Sequence, residues 1–442
     1  MHTDASQQRR LFLQAGAAIT ASMLTGTALA QSPESDSHTA TEDQGKPDGP
    51  KVRLAVIGAN NRGTALIKGF NANPNAEVVA VCDVDSEVLQ RTAALIDQPS
   101  GDQPTTYADL RHVLDRPDID AIVVATPNHW HAPATILGCA ASKHVYVEKP
   151  CSQTPEEGVL AVQAARKHNR VVMMGSQRRS WPAVIAAMDL VHSGRIGKVH
   201  YARTWYNNRR TSIGLGKQVP APQTLDWDLW QGPAPRRPYV DNIVHYNWHW
   251  NWHWGNGELG NNGIHVLDLA RWGMQVTHPN RVTAGGGKYR HQDDQQTPDT
   301  MMVTYDFPES KTITWEGLSW SPMGAHDTSV GVSFHGSEGT LVIFGQGYTL
   351  YDDHNKEIET VTDAGGDTAH LDQFVQCIQN GGTPNTDIQV AHDSTLLTHL
   401  GNMAFRTGGL LNIDPKTGKP LDNEAATALW GREYANGWKP VV

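Results

Sequence analysis

The most constraining feature of this sequence is a short apolar run that leads straight into a glycine-bounded turn. The run, KVRLAVIG at residues 51–58, is rich in β-branched residues and predicts a buried strand. It continues into the turn GANNRG at 58–63 and a helical stretch at 64–71. A second apolar strand at 77–82 ends on Asp83, 25 residues beyond the first glycine of the turn. This order of strand, glycine turn, helix, strand and acid predicts a Rossmann dinucleotide-binding unit.

The residues of this unit suit a nicotinamide dinucleotide. Gly58 permits a tight turn, and Gly63 permits close packing of the helix against the strand. The helix N-terminus offers N–H groups to a pyrophosphate, and Asp83 can accept hydrogen bonds from ribose hydroxyls. Because the charge of Asp83 repels a 2′-phosphate, NAD is favoured over NADP. Asn60 stands where the fingerprint has its middle glycine, and a turn of this kind alone also fits a generic strand–helix connection.

The alternation of strands and helices continues along the chain. Strands are predicted at 121–125, 144–147 and 171–174, and helices at 132–141 and 155–168. In such a sheet, ligands bind at the carboxyl ends of the parallel strands, and Lys149 lies at one of these ends.

Several segments together resemble the glucose-fructose oxidoreductase and inositol dehydrogenase family (Gfo/Idh/MocA). They are TPNHWH at 126–131, HVYVEKP at 144–150, HSGRIGKV at 192–199, GELGNNGIHVLD at 257–268 and the helical segment 387–406. The resemblance extends over about residues 51–410.

The resemblance implies an α/β fold with two domains. A Rossmann domain is expected at 51–175, and a C-terminal α+β domain with a large, mostly antiparallel sheet at 176–442. The second half suits this sheet, because several of its predicted strands alternate apolar and polar residues. The strands are at 199–205, 300–307, 311–318, 329–335 and 340–344, and helices are predicted at 182–192, 263–272, 369–379 and 390–406. The C-terminal domain is expected to bind substrate and to form a homo-oligomer.

The resemblance also implies a catalytic group. It places Lys149 beside the reacting hydroxyl, where an ammonium stabilises a developing alkoxide. His265 matches the family's general base, and its position near a helix start disfavours the imidazolium. Asn261 departs from the pattern, because dehydrogenases of this family usually carry Asp four residues before the His. Since Asn holds neither proton nor charge, a simple Lys–Asp–His dehydrogenase is disfavoured, and Asn261 is expected to act through hydrogen bonds.

Other residues are expected to bind cofactor or substrate. The predicted cofactor-binding residues are Gly58, Asn60, Arg62, Gly63, Asp83, Thr126, Asn128, His131 and Glu148. Gln177, Arg178 and Arg179 follow the last Rossmann strand and are expected to face the cleft. They could grip the hydroxyls of a sugar or an acidic sugar, or form ion pairs between the domains.

A tryptophan-rich segment, WHWNWHW at 248–254, alternates strictly. In an extended chain its four tryptophans share one face, which suits packing or an oligomer interface and, less well, a sugar-stacking wall. Its two histidines have no carboxylate or cysteine suitably close, so no metal site is predicted. The four cysteines match no zinc spacing and are expected to be free thiols.

The N-terminus predicts export. The pair Arg9-Arg10, the apolar run 15–29 and the small-residue site ALA at 28–30 are typical of a twin-arginine (Tat) signal peptide over residues 1–30. The apolar run is shorter than the roughly 20 residues of a spanning helix, which disfavours the alternative of an uncleaved anchor. A polar linker at 31–50 is expected to be disordered. The protein is thus expected to use the Tat machinery and to be periplasmic or secreted.

The net charge of −10 disfavours nucleic acid and anionic membranes as partners. Two main functions remain open. One is a periplasmic sugar oxidoreductase, and the other is an NAD-dependent enzyme that cleaves glycosides through transient sugar oxidation. A binding protein without turnover is disfavoured by the presence of Lys149 and His265. Since the periplasm holds no useful pool of nicotinamide cofactor, the cofactor is expected to be held tightly and recycled within each reaction.

Overall fold

The computed structural model describes residues 50–96 and 103–442, and its first part is built on a parallel sheet. The elements of this part are β1 (Val52–Ile57), α1 (Arg62–Asn71), β2 (Ala76–Cys82), α2 (Ser86–Ala93), β3 (Thr105–Tyr107), α3 (Leu110–Leu114), β4 (Ala121–Val124), α4 (Asn128–Ala140), β5 (His144–Val147), α5 (Pro155–Lys167) and β6 (Val172–Met174). The strand order is β3-β2-β1-β4-β5-β6, and each neighbouring pair is parallel. This doubly wound order confirms the predicted Rossmann fold. The predicted signal peptide and nearly all of the predicted linker lie outside the described residues.

Helices cover both faces of this sheet, which explains why β1 is apolar throughout. Leu54 and Val56 face a core that includes Phe70 of α1. Ala55 and Ile57 face the opposite core, beneath α4 and α5. A strand buried on both faces has no polar alternation.

The helix predicted at 132–141 starts four residues earlier, at Asn128, so that prediction was wrong at its N-terminus. Pro133 favours a later start, because proline is usual in the first turn of a helix and costly in its interior. Proline cannot donate to the carbonyl of His129, which instead accepts a hydrogen bond from Arg432 Nη2 at 2.6 Å. A residue from the far end of the chain thus satisfies the carbonyl that Pro133 leaves without a helical donor.

The second part of the chain is built on a ten-stranded sheet. Its elements are α6 (Pro182–His192), β7 (Val199–Asn207), α7 (Trp227–Gln231), α8 (Ile264–Met274), β8 (Arg281–Gly287), β9 (Thr300–Phe307), β10 (Lys311–Leu318), β11 (Val330–Gly336), β12 (Gly339–Phe344), β13 (Gly347–Asp352), β14 (Glu357–Thr362), α9 (Thr368–Asn380), α10 (Ile388–Arg406), β15 (Leu410–Ile413), β16 (Pro420–Leu421) and α11 (Glu424–Ala428). The order is β14-β13-β12-β11-β7-β10-β9-β8-β15-β16, and among these pairs only β7 with β10 is parallel. The predicted large, mostly antiparallel sheet is confirmed.

One face of this sheet packs on α6, α8 and α10, and α9 returns to the parallel sheet beside α1. In β9, Met301, Val303 and Tyr305 point into the core, while Met302 is 44% exposed. This is the period-2 alternation from which the strand was predicted. No helix of the described chain is long and apolar enough to cross a membrane.

The tryptophan-rich segment is not extended, so the condition for a shared tryptophan face is not met. Asn247–Trp250 is a 3₁₀ turn, and the chain bends again before Gly255. Local hydrogen bonds favour the turn, such as that from Trp248 Nε1 to the carbonyl of His245 at 3.0 Å. Trp248 and Trp254 pack together in a buried cluster with Trp230 and Tyr239, and Trp250 and Trp252 are not part of that cluster.

Candidate active site

A cavity of about 530 Å³ opens at the carboxyl edge of the parallel sheet. The loops that follow β1, β2, β4, β5 and β6 form one wall, where ligands bind in doubly wound sheets. Residues of the second part of the chain form the other wall. They include Tyr206, Asn208, Arg210, Tyr246, Trp248, His249, Asn261, Asn262 and His265.

The glycine turn after β1 has the close contacts that its sequence predicted. Gly58 has φ +83°, and a Cβ on it would lie 2.8 Å from the Ala125 backbone. A Cβ on Gly63 would lie 1.9 Å from the carbonyl oxygen of Gly58. Only glycine fits these positions, and the helix N-terminus that follows has no side-chain cap. This is the arrangement that a dinucleotide pyrophosphate requires.

Asp83 braces this turn from the end of β2. Its Oδ2 accepts a hydrogen bond from the Ala59 N–H at 2.8 Å, and its Oδ1 accepts from the Asp85 N–H at 3.0 Å. Burial raises the pKa of Asp83, and these two hydrogen bonds oppose that effect. A carboxylate has about four acceptor positions, so Asp83 keeps capacity for ribose hydroxyls. Nearby, Thr126 Oγ1 is buried without a partner among the described residues, as expected of a group that meets a ligand.

Asn60, at the place of the middle glycine, turns its side chain toward α2. Its Oδ1 accepts a hydrogen bond from Arg91 Nη2 at 2.9 Å. Arg62 donates to Glu148 Oε1 at 2.6 Å and to Asp367 Oδ2 at 2.5 Å. Arg62 and Glu148 therefore line the cavity as an ion pair, and Asp367 is a partner that the sequence did not predict.

Two predicted cofactor residues also join loops to each other. The ring nitrogens of His131 lie 2.6 Å from the carbonyl oxygen of Pro150 and 2.7 Å from that of Thr126. Asn128 Nδ2 donates to Asn256 Oδ1 at 3.0 Å. These contacts fix the TPNHWH and EKP loops at the cavity, and a role in cofactor binding stays a prediction.

Lys149 is held by Asn261. Its Nζ donates to the backbone oxygen of Asn261 at 2.8 Å and to Oδ1 at 2.9 Å. Asn261 belongs to a π-helical turn, Leu259–Gly263, that precedes α8, and turns of this kind are frequent at functional sites. Burial lowers the pKa of Lys149, while Glu148 and Glu258 oppose this effect.

His265 lines the same cavity, in the first turn of α8. Burial, with the nearby charge of Lys149, holds the pKa of His265 well below its usual value, so the ring is neutral near pH 7. Burial is the largest cause of this lowered pKa. His265 Nδ1 has no hydrogen-bond partner among the described residues.

The three residues expected at the cleft after β6 have different positions. Gln177 lines the cavity. Arg178 lies outside the cavity lining, with its guanidinium 5.3 Å from the ring of Trp181, and burial lowers its pKa to about 10. Arg179 forms a buried pair with Asp268, with two hydrogen bonds of 2.8 Å, so its expected cleft position was wrong. Arg179 does form an ion pair, but its partner Asp268 lies in the same predicted C-terminal domain, so the pair does not join the two domains as the alternative expected.

The part of the cavity around Arg210 and Glu258, beyond Lys149 and Asn261, contains residues that sequence reasoning missed. Arg210 donates to Glu258 Oε2 at 2.5 Å, and its guanidinium lies 4.6 Å from the ring of Trp250. Asn262 also donates to Glu258. Glu258 and Asn262 lie inside the GELGNNGIHVLD segment, which could have drawn attention to them, but Arg210 lies in an irregular loop without a sequence pattern.

The fold and this site together define an NAD-binding Rossmann oxidoreductase. Residues 52–176 match the NAD-binding Rossmann domain of the Gfo/Idh/MocA oxidoreductase family, and residues 196–440 match the family's C-terminal α/β domain. The chain belongs to this family.

Curated relatives share part of the chain. A protein of Shewanella sp. (strain W3-18-1), called glycosyl hydrolase family 109 protein, is 31% identical over 209 residues. An alpha-N-acetylgalactosaminidase of Shewanella oneidensis is 29% identical over 209 residues. Each match covers 45% of this chain and 45% of the relative, which is less than half the length of either protein.

Solved structures share the fold. Levoglucosan dehydrogenase in complex with NADH and levoglucosan has a TM-score of 0.66 at 20% identity, covering 82% of this chain and 99% of that one. The aldose-aldose oxidoreductase of Caulobacter crescentus has a TM-score of 0.64 at 21% identity, covering 82% and 100%. At this identity the likeness concerns the fold alone.

Proposed function

We propose that this protein oxidises and reduces a sugar or sugar derivative with an NAD that stays bound and is recycled within each reaction. The observation that carries the proposal is the convergence of Lys149, Asn261 and His265 on the cavity that also contains the glycine turn and Asp83. NAD, when bound there, accepts a hydride from a substrate carbon and can return it.

The side chains supply the proton chemistry of such a reaction. A neutral His265 can accept the proton of a substrate hydroxyl as the hydride leaves the same carbon. The Lys149 ammonium stabilises negative charge on that oxygen. Because Asn261 holds Lys149 through neutral oxygens, it orients the ammonium without compensating its charge.

A second candidate function is NAD-dependent glycoside cleavage, favoured by the 31% identity to a glycosyl hydrolase family 109 protein. In this reaction a sugar hydroxyl is first oxidised to a ketone. A base then removes the acidified proton of the neighbouring carbon, and the bond to the aglycone breaks. Addition of water and return of the hydride complete a net hydrolysis, so NAD is again unchanged.

We also propose that the protein is exported through the Tat machinery, which would favour a closed cycle in both candidates. A folded protein sent to the periplasm through the Tat machinery would load its NAD in the cytoplasm and keep it. The polar and charged lining around Arg210 and Glu258 suits a carbohydrate. We also propose that the protein works as a homo-oligomer.

The test supplies purified protein with aryl glycosides and, separately, with pairs of free sugars. Interconversion of free sugars without added NAD supports the oxidoreductase. Release of the aglycone without net NADH supports the glycosidase. Steady release of NADH into solution with either substrate would contradict the closed cycle.

A further inference from the structure

A second cavity, about 380 Å³ in volume, lies beside the N-terminus of α5. It is bounded by Thr154 and Pro155, by the C-terminal half of α10 and by the segments around Trp252 and Arg432. None of the residues predicted to bind cofactor or substrate lines it. It is therefore a compartment separate from the candidate active site.

The charge of this cavity is positive and incompletely compensated. Arg237, Arg406 and Arg432 line it, and Arg432 donates to Glu157 Oε1 at 2.8 Å. Within residues 50–96 and 103–442, the guanidinium groups of Arg237 and Arg406 have no ion pair. Arg406 lies 5.0 Å from the ring of Trp252, and burial lowers its pKa. Among the described lining residues, the one carboxylate is an exposed glutamate at position 433.

The lining also holds polar atoms without partners. Gln153 Oε1, Thr154 Oγ1 and Arg432 Nη1 are buried and make no hydrogen bond to the described residues. Thr154 precedes α5 without capping it. Burial lowers the pKa of His253 to about 4 and that of His399 to about 3, so neither adds charge near pH 7. The lining thus combines unpaired cations with groups that can bond a hydroxyl, which both donates and accepts.

We propose that this cavity binds a monosaccharide-sized ligand that carries one oxyanion group, a carboxylate or a sulfate. The planar guanidinium groups of Arg406 and Arg237 hold the oxyanion, since two N–H donors match two of its oxygens. Gln153 and Thr154 face the ligand's hydroxyls. The volume lies in the range of small-molecule pockets, and an inorganic ion alone would leave most of it empty.

The test is calorimetric titration of the NAD-loaded protein with glucuronate, glucose and inorganic sulfate. Glucuronate should bind saturably and at least about tenfold more tightly than glucose, because a charge-assisted hydrogen bond contributes that much. Arg406→Gln and Arg237→Gln should each weaken glucuronate binding by about tenfold or more. The matched control is Arg195→Gln, which removes an exposed arginine that lines neither cavity and should change nothing.

Three outcomes would overturn the proposal. They are equal affinities for glucuronate and glucose, unchanged binding in both arginine variants, and sulfate binding as tight as glucuronate binding. The first two outcomes would show that no arginine contact to an oxyanion contributes to binding. The third would show that the cavity does not select a sugar-sized ligand. Because Arg237 is exposed, its variant keeps the test valid if Arg406→Gln fails to fold.

Discussion

Asn261→Asp should change the proton chemistry of the site. It replaces a neutral oxygen, 2.9 Å from Lys149 Nζ, with a carboxylate oxygen at nearly the same place. The direct partner of this side chain in the structure is Lys149.

The magnitude follows from the contact. An opposite charge within about 4–6 Å changes a pKa by about one to three pH units, or about 1.4–4 kcal/mol in the free energy of protonation. In the natural protein, burial lowers the pKa of Lys149. A carboxylate at position 261 favours the ammonium and should therefore raise this pKa. The alkaline limb of the pH–rate profile, where Lys149 loses its proton, should move upward by about one to three pH units. The compensated ammonium stabilises an alkoxide less well, so kcat should fall about 10–100-fold.

The assay is kcat and kcat/KM against pH for both proteins on one substrate. Asn208→Asp is the control, because Asn208 lines the same cavity but donates to the Tyr206 hydroxyl, without a contact to Lys149. A near-wild-type rate with an unchanged profile would refute the reasoning. An equal upward displacement in Asn208→Asp would also refute it, since the effect would then come from cavity charge in general.

Three further predictions concern the cofactor, the catalytic pair and stability. NAD, not NADP, should be found by mass spectrometry in the supernatant of the denatured purified protein; a predominance of NADP would remove the argument from the acidic end of β2. Lys149→Ala and His265→Ala should each lower kcat by about 10²–10⁴-fold while bound NAD is retained, and a near-normal rate would exclude that residue from the mechanism. Arg179→Met, which removes the ion-pair partner of the buried Asp268 carboxylate, should lower the free energy of unfolding by about 3–5 kcal/mol in urea titrations. Arg281→Met, at an exposed pair, should cost about 1 kcal/mol or less, and equal losses in both variants would contradict this assignment.

The sequence was sufficient to predict the fold and the site residues where the local pattern of apolar residues agrees with the burial seen in the structure. The strand β1 is apolar throughout because both of its faces are covered, and its position before a glycine turn predicted the Rossmann unit. Lys149 and His265 could be placed in one cavity because each lies in a motif at a fixed position relative to a strand or helix. Their exact partners could not be predicted, because the contact of Lys149 with Asn261 joins positions 112 residues apart.

Features that depend on distant contacts were missed or wrongly predicted. Asp367 is bonded to Arg62 across 305 residues, and no local pattern reports such a pair. The His129 carbonyl, which Pro133 leaves without a helical donor, bonds to Arg432, 303 residues further along the chain. Arg179 was expected in the cleft, but the need to compensate Asp268 in the core turned it inward.

The most direct test of the closed redox cycle is the amount of product formed per active site when no cofactor is added. Purified protein is incubated with para-nitrophenyl glycosides or with pairs of aldoses, and product and free NADH are both followed. The account predicts many turnovers for each bound NAD, with no accumulation of NADH in solution. Product formation that stops at about one equivalent per site, and resumes only when NAD is supplied, would contradict it.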